Sequence, residues 1–325
     1  MISINRLKLD GPIVLAPMAG ISDLPYRLTM KQFGASLVFT EMVSANGLIR
    51  NGQGSLDLLQ SDPRERPLGI QLFGGEPDVM ATAAKRVAPF GDLIDINFGC
   101  PVNKVVRGGA GSALLREPMR IRDILKAMRK AVDLPLTIKI RSGWDSSSVN
   151  FIEIGRIAEA EGVDAITLHP RTRSQGFGGE ADWRQIAELK QGVTIPVLGS
   201  GDLFQADDIM AMLNQTGCDA VMIGRGGYGN PWLVRQGMQL LRGEPVTDPS
   251  PQEKLAVARE HLQRHLALRG ERKALFEMRK HLCWYARSFP GAGEFRRRVN
   301  SSRSVRELSE LLTDFLTEAA ETVSS

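Results

Sequence analysis

Asp92-Leu93-Ile94-Asp95-Ile96-Asn97-Phe98-Gly99-Cys100-Pro101 is an aliphatic run that ends abruptly in a thiol. Leu93, Ile94 and Ile96 suit a short strand buried on both faces, and Gly99 and Pro101 stop it. Cys100 is thereby placed just past the carboxyl end of a strand, the edge where parallel α/β folds bind ligands and do chemistry. Seven further runs share the character of this one: Ile13–Met18, Leu37–Glu41, Leu68–Phe73, Leu136–Arg141, Ala165–His169, Pro196–Ser200 and Ala220–Gly224. Each is followed by a turn and an amphipathic stretch. In Asp123–Val132, for example, Ile124, Leu125, Met128 and Val132 recur at helical spacing. Eight such units predict a TIM (β/α)8 barrel; a doubly wound sheet, the rival, gives no reason for eight strands. The rhythm changes near Gly243-Glu244-Pro245, where Pro245, Pro249 and Pro251 mark a linker. Beyond it, Glu253–Leu268, Ala274–Arg287 and Val305–Ala319 read as helices, with Pro290, Gly291 and Gly293 breaking the middle. The expected organisation is a barrel over residues 1–243 and a small all-α domain over 244–325.

Composition narrows the function. Of 325 residues, 42% are hydrophobic and 24% charged, ordinary for a globular protein. Three cysteines, none in CxxC spacing, argue against a disulfide framework or a structural zinc site and suit a reducing cytoplasm. The first residues, Met1-Ile2-Ser3-Ile4-Asn5-Arg6, lack the pattern of a signal peptide, and no run approaches the roughly 20 apolar residues of a membrane helix. Charge is unevenly spread. Lys254 to Arg306 holds 14 Lys/Arg against 4 Asp/Glu, whereas residues 1–253 hold 27 against 28. A basic helical tail beside a neutral barrel points to a polyanionic partner; a solvated helix face is the blander account.

The residues at the strand ends carry the chemistry. Cysteines beside strands are often packed hydrophobes. Cys100, however, stands at a loop mouth, and Gly108-Gly109-Ala110-Gly111 behind it reads as a mobile lid. Its thiol could serve as nucleophile or proton donor. Cys218, before the eighth strand, and Cys283, in a helix, read as structural. Lys139 closes the fifth strand with Arg141, and a lysine inside a barrel is costly without an anionic or carbonyl partner. A core salt bridge, a Schiff base, or a cation facing an electron-rich ring are the readings. His169 ends the sixth strand, with Arg171 just after it. Gly199-Ser200-Gly201-Asp202 and Gly224-Arg225-Gly226-Gly227 end the last two strands, where phosphate-binding barrels cradle their ligand. Gln71 offers an amide to the edge of a heterocycle, and Pro17-Met18-Ala19-Gly20 an apolar floor. Such a site would hold a phosphorylated planar cofactor with a thiol near its ring, and FMN fits.

Several of these blocks together resemble the tRNA-dihydrouridine synthases. They are Ala16-Pro17-Met18-Ala19-Gly20, Asp95 through Pro101, Lys139-Ile140-Arg141-Ser142-Gly143-Trp144, His169-Pro170-Arg171-Thr172 and Ile223-Gly224-Arg225-Gly226. Arg279-Lys280-His281-Leu282-Cys283-Trp284-Tyr285 resembles the bacterial B subfamily in particular. The resemblance implies an FMN enzyme, reduced by NADPH or by NADH in its place, that saturates the C5=C6 bond of selected D-loop uridines in tRNA. By that resemblance Cys100 is the general acid at C5, and Asn97 holds the uracil edge. Gln71, Lys139 and His169 contact the flavin, while Ser200, Gly201, Asp202, Gly224 and Arg225 surround its phosphate arm. Pro17, Met18 and Ala19 floor the ring. Arg141 and Arg171, with Arg279, Lys280, Arg296, Arg297 and Arg298 of the tail, are candidate RNA contacts. Neither DNA nor membrane is expected as a partner, no metal is expected, and a monomer suffices. Two departures from the family pattern stand out: Ser200 replaces the usual Asn, and Pro170 the more usual Gly.

Three rival readings remain. A flavin barrel acting on a free pyrimidine leaves the basic tail without a purpose. A non-catalytic RNA-binding protein leaves Cys100, Lys139 and His169 without one, and a Schiff-base aldolase leaves Cys100 and Asn97 idle. Deleting the tail, or replacing Cys100 with alanine, separates them.

Overall fold

The computed structural model describes residues 2–324. The chain opens with a hairpin that the sequence pattern did not reveal: β1 (Ile2–Ile4) pairs antiparallel with β2 (Leu7–Leu9). Its strands are too short to show a period, and Asn5, at φ 53°, makes the turn. Then follow β3 (Ile13–Leu15), β4 (Val38–Phe39), β5 (Val43–Ser44), β6 (Leu68–Phe73), β7 (Leu93–Asn97), β8 (Leu136–Arg141), β9 (Ala165–His169), β10 (Val197–Ser200) and β11 (Ala220–Ile223). Their order is β3-β11-β10-β9-β8-β7-β6-β4, every pair parallel, with the short β5 also paired to β6. A parallel bridge between Val14 and Leu37 brings the ends together, and the Leu15 N–H donates to the Leu37 carbonyl at 2.9 Å. The eight aliphatic runs are thus the eight staves of a TIM barrel. Helices follow the strands on the outside and bury one stripe each. In Pro118–Ala131 that stripe is Ile121, Ile124, Leu125 and Met128. This helix starts before the expected Asp123 because Pro118, pre-set in φ and lacking an N–H, is well suited to its first turn.

The barrel interior changes character from foot to mouth. At the foot, strand-start residues Leu93, Ala165, Leu198 and Ala220 pack with Val14, Leu37 and Phe39, and Ile4 and Leu9 of the hairpin join the same cluster. The hairpin therefore stoppers the amino ends of the strands. Gly69 is glycine for a local reason: a Cβ there would lie 2.4 Å from the Phe39 ring. Toward the mouth the register sets Gln71 beside Asp95 and Asp95 beside Thr137. Beyond them Asn97 lies beside Lys139, and Arg141 beside His169. Registered neighbours in a parallel sheet share a face, so these polar side chains fill one column at the carboxyl edge.

Residues Met1–Gly224 and Arg225–Ser325 form two compact units. The division falls earlier than the expected 243/244 because Trp232–Leu241 packs as part of the helical unit. Trp232 is fully buried there, its indole N–H donating to Glu253 at 2.9 Å, and Arg235 pairs with the same carboxylate at 2.6 Å. Tyr228 stacks on Trp284 with centroids 4.2 Å apart. Gly229 (φ 63°) lies so close to Trp284 and Tyr285 that a Cβ would stand 2.4 Å from their backbone. The two helices expected at Glu253–Leu268 and Ala274–Arg287 both lie within Pro251–Tyr285, separated by a kink at Gly270 (φ 76°, ψ 165°) that folds the second back on the first, so that His261 meets Tyr285. Ala292–Ser301 and Val305–Ser324 complete the unit.

Candidate active site at the barrel mouth

Asp95 begins the site from below. A carboxylate within a fully buried strand needs donors, and it has two: the Thr137 hydroxyl at 2.6 Å and the Gln71 amide N–H at 2.7 Å. Burial nevertheless pushes its pKa up to about 6, against the pull of Gln71, Thr137 and the Lys139 charge. The other end of the Gln71 amide accepts from Asn97 Nδ2 at 2.9 Å. The Asn97 carbonyl oxygen in turn accepts the backbone N–H of Gly99 at 3.0 Å and of Cys100 at 2.8 Å. The turn that carries the thiol is thus held by a side chain of the strand it leaves.

Cys100 is 9% exposed, packed with Val105, Ala110, Met42 and Phe73. Burial raises its thiol pKa, outweighing the Val102 N–H and the Arg141 and Lys139 charges. The group accordingly holds its proton at neutral pH, as a general acid must. The glycine segment expected to be a lid lies against it. Ser112 donates to the Cys100 carbonyl from both its N–H (3.1 Å) and its hydroxyl (2.8 Å). Gly111, at φ 60°, leaves no room for a Cβ, which would meet that carbonyl at 2.9 Å.

Lys139 stands half-buried beside Asn97, and burial with the Arg141 charge pushes its pKa down to about 8. No hydrogen bond or close ion pair to its ammonium occurs among the described residues, although the Asp95 charge below acts on it. Around the mouth, His169 is buried, with its ring against Gly201: a Cβ at Gly201 (φ 120°) would stand 3.0 Å from the imidazole and 2.8 Å from Ala181. An unpartnered cation, an amide edge and a side-chain-free cradle suit a planar, electron-rich ring with an anionic arm, so these residues fit FMN. Pro17 and Met18 are half-buried at the end of β3 and Ala19 is exposed, while Ser200 is buried at the end of β10. Gly224 closes the barrel unit, and Arg225 starts the short helix Arg225–Gly227 of the other.

Three expected contacts point elsewhere than the sequence suggested. Arg141, 3% exposed, donates to main-chain carbonyls: Gly99 at 3.0 Å, Thr172 at 2.9 Å and Gly176 at 2.8 Å. Arg171, 2% exposed, forks onto Asp202 at 2.9 and 2.6 Å and also reaches Gly178 and Gly179. Asp202 accepts the Ala181 N–H as well. These guanidiniums tie strand-end loops to one another, and the charge alone could not disclose that their partners lie up to 42 residues away.

In the helical unit Arg296, Arg297 and Arg298 are exposed on Ala292–Ser301, whose Phe295 and Val299 are buried. Phe295 stacks on Phe315 at 4.5 Å, and Arg297 pairs with Glu294 on its own helix. Arg279 and Lys280 are half-buried, Arg279 lying 4.8 Å from the Phe276 ring and donating to the Ser302 carbonyl.

Sequence reasoning gave no role to Asp95, Thr137, Ser112, Arg116 or Arg173. An acid in the middle of an aliphatic run was a usable signal for the first. Arg116 and Arg173 lie over the Trp144 ring at 4.0 and 4.6 Å, and Arg173 also reaches Asn103, three residues past Cys100, at 3.1 Å. No local pattern announces that stack.

Comparison with known proteins bears on the family and the fold. A family model, dihydrouridine synthase, matches residues 14–321. The chain is 41% identical over 321 residues to a probable tRNA-dihydrouridine synthase 1 of Synechocystis, covering 98% of this chain and 90% of that one. It is 39% identical over 302 residues to tRNA-dihydrouridine synthase B of Pseudomonas aeruginosa, covering 92% and 91%. Among solved structures, an old yellow enzyme homologue from Zymomonas mobilis superposes with TM-score 0.53 at 14% identity, over 77% of this chain and 93% of that one. A 2-naphthoyl-CoA reductase complex gives TM-score 0.59, also at 14% identity, over 75% of this chain and about half (52%) of that one.

Proposed function

The chain belongs to the dihydrouridine synthase family, and on that premise we propose that it is an FMN- and NADPH-dependent reductase of selected D-loop uridines in tRNA. The observation that carries the chemistry is Cys100, a protonated thiol fixed by the Asn97 amide beside Lys139 at the barrel mouth. FMN, when bound, supplies the hydride that uracil accepts at its electron-poor C6. A proton is then owed at C5, and the Cys100 Sγ–H is the donor. Lys139 opposes the charge of the electron-rich ring, Gln71 offers its edge an amide, and His169 lies along the Gly201 cradle. Ser200, Gly201, Asp202 and Gly224 belong to the phosphate arm, with Asp202 acting through Arg171. Pro17, Met18 and Ala19 floor the ring, and Asn97 reads the uracil. Arg141 and Arg171 hold the loops around it.

A target base must leave its stack to reach such a pocket, at a cost of a few kcal/mol. Phosphate contacts elsewhere on the RNA offset that cost. Arg296, Arg297 and Arg298, exposed together, are the best-placed cations for them, with Arg279 and Lys280 behind. The helical unit is accordingly the RNA-holding part and the barrel the flavin-holding part. The relative named synthase B and the Arg279–Tyr285 block favour the B subfamily. One chain supplies every group named, as a monomer in the cytoplasm would require.

The test is spectroscopic. The purified protein should be yellow, bleach with NADPH, and reoxidise faster with unmodified tRNA than without, with dihydrouridine in the product. Colourless protein that FMN cannot reconstitute would remove the flavin from this reading.

A further inference from the structure

Resting on that reading, we infer that Asp95 is a positioning residue: acting through Gln71 and Asn97, it sets the turn that aims the Cys100 thiol. The argument is one of hydrogen-bond polarity. Amide groups can usually be turned over without changing shape, so their orientation needs fixing from outside. Here both ends of the chain are fixed. At the lower end an ionised Asp95 can only accept, so the Thr137 hydroxyl and the Gln71 NH2 must both donate to it, at 2.6 and 2.7 Å. That leaves the Gln71 oxygen facing Asn97, whose NH2 donates to it at 2.9 Å. The Asn97 oxygen is then the only acceptor left, and it meets two groups that can only donate, the N–H of Gly99 and of Cys100, at 3.0 and 2.8 Å. Each link agrees with the next over the whole path from Thr137 to Cys100.

Remove the acceptor at the lower end and Gln71 is held in this orientation from the Asn97 side alone, its own NH2 left without the Asp95 acceptor. A turned Gln71 presents its NH2 to the Asn97 NH2, two donors face to face. Asn97 relieves the clash by turning too, and its NH2 then faces the N–H groups it had been accepting. The Cys100 turn loses both bonds. Asp95, Gln71 and Asn97 are all buried, so water does not readily replace what is lost. Asp95 touches neither substrate nor thiol; its effect passes through two amides.

The acceptor, not the charge, is what the chain needs. An asparagine at this position can accept from Gln71 with its oxygen and donate to the Thr137 hydroxyl with its nitrogen. Asp95→Asn therefore preserves the chain and Asp95→Ala breaks it, while Gln71→Met breaks it at the next link.

The experiment reads Cys100 itself. Iodoacetamide labelling of the FMN-loaded protein is timed by peptide mass spectrometry, which separates Cys100 from Cys218 and Cys283, and NADPH bleaching and tRNA-driven reoxidation are recorded in parallel. Expected is labelling of Cys100 accelerated about tenfold or more in Asp95→Ala and in Gln71→Met, and a double variant no faster than either, since both cut one chain. Asp95→Asn should label at the rate of the unaltered protein. The proposal is overturned if Asp95→Ala and Gln71→Met leave the labelling rate unchanged, or if their effects multiply. If Asp95→Ala does not fold, Asp95→Asn against Gln71→Met decides alone. Failure of tRNA to reoxidise the unaltered protein would count against the uridine reductase reading and leave the labelling result standing.

Discussion

The barrel and the helical unit handle charge in opposite ways. In the barrel, Asp95, Lys139, Arg141, His169 and Arg171 converge at the strand ends, buried or half-buried, most of them tied to carbonyls, amides or one another. In the helical unit the arginines of Ala292–Ser301 stand in the open, while three of the chain's four histidines are sunk together in the interior. His261 and His281 lie with ring centroids 4.7 Å apart, His261 meets the Tyr285 hydroxyl at 3.2 Å, and His265 meets Glu277 at 2.8 Å. An inward charge needs a built network and serves precision. An outward one needs nothing and serves attraction at a distance.

The strongest test of the contrast is at its inward pole. Cys100→Ala should slow tRNA-driven reoxidation of the flavin by about 10² to 10⁴-fold while leaving bleaching by NADPH unchanged, as loss of a general acid requires. Stopped-flow measurement of the two half-reactions separates them. If both slow together, the thiol is holding the site's shape and not moving a proton. Next comes Arg27–Glu65, the barrel's fully buried ion pair at 2.6 Å, in which the guanidinium also serves the Ser22 and Gln60 carbonyls. Glu65→Ala strands that cation in the interior and should cost about 3–5 kcal/mol in chemical denaturation. Its counterpart in the helical unit, Arg306–Glu310, is exposed at both ends, and Glu310→Ala should stay within about 0.5 kcal/mol. Equal losses at the two pairs would erase the distinction.

The outward pole is tested by replacing Arg296, Arg297 and Arg298 together with alanine. Affinity for tRNA should fall, and the slope of log affinity against log salt should flatten by about two to three, one phosphate contact per arginine at most. FMN content, read from the visible spectrum, should not change.

Acid should act on the two units with opposite sign. Burial, together with the His265, Arg264 and Lys280 charges, lowers the His261 pKa to about 3, and burial with neighbouring charge lowers that of His281 as well. Below about pH 6.5 the unfolded histidines take up protons that the folded ones refuse, so stability falls with pH by up to about 1.4 kcal/mol per unit for each. Asp95 behaves in reverse. With its pKa raised to about 6 from an ordinary 3.8, the folded barrel binds the extra proton between those values and gains stability as pH falls through them. Hydrogen exchange followed from pH 7 to pH 5 should show protection declining in Pro251–Tyr285 before it declines in the barrel strands. The reverse order would mean that the buried histidines are not setting the acid limit.

Much of the barrel could be read from the chain because its strands are buried on both faces and so are largely apolar. Ile13–Leu15 and Ala220–Ile223 are clear cases. The position of Cys100 followed from where such a run stops. What could not be read was partnership. Arg141 and Arg171 look in sequence like cations awaiting a phosphate. Only folding brings Gly99, Thr172, Gly176 and Asp202 to them. The unit boundary was hidden for the same reason. Trp232–Leu241 follows the last strand as a barrel helix should, and nothing local says that Trp232 will find Glu253. The two helices on either side of Gly270 were legible from their apolar spacing, and the positive φ at that glycine is where the second folds back on the first.

The hairpin at the foot of the barrel has a consequence for traffic. With Ile4 and Leu9 wedged among the strand starts, the described residues fill the foot of the barrel, and the polar column opens at the other end. Whatever reaches the floor of the pocket must leave by the way it came. In the reading proposed above, nicotinamide and uracil then approach the ring from the same side, past the same strand-end loops.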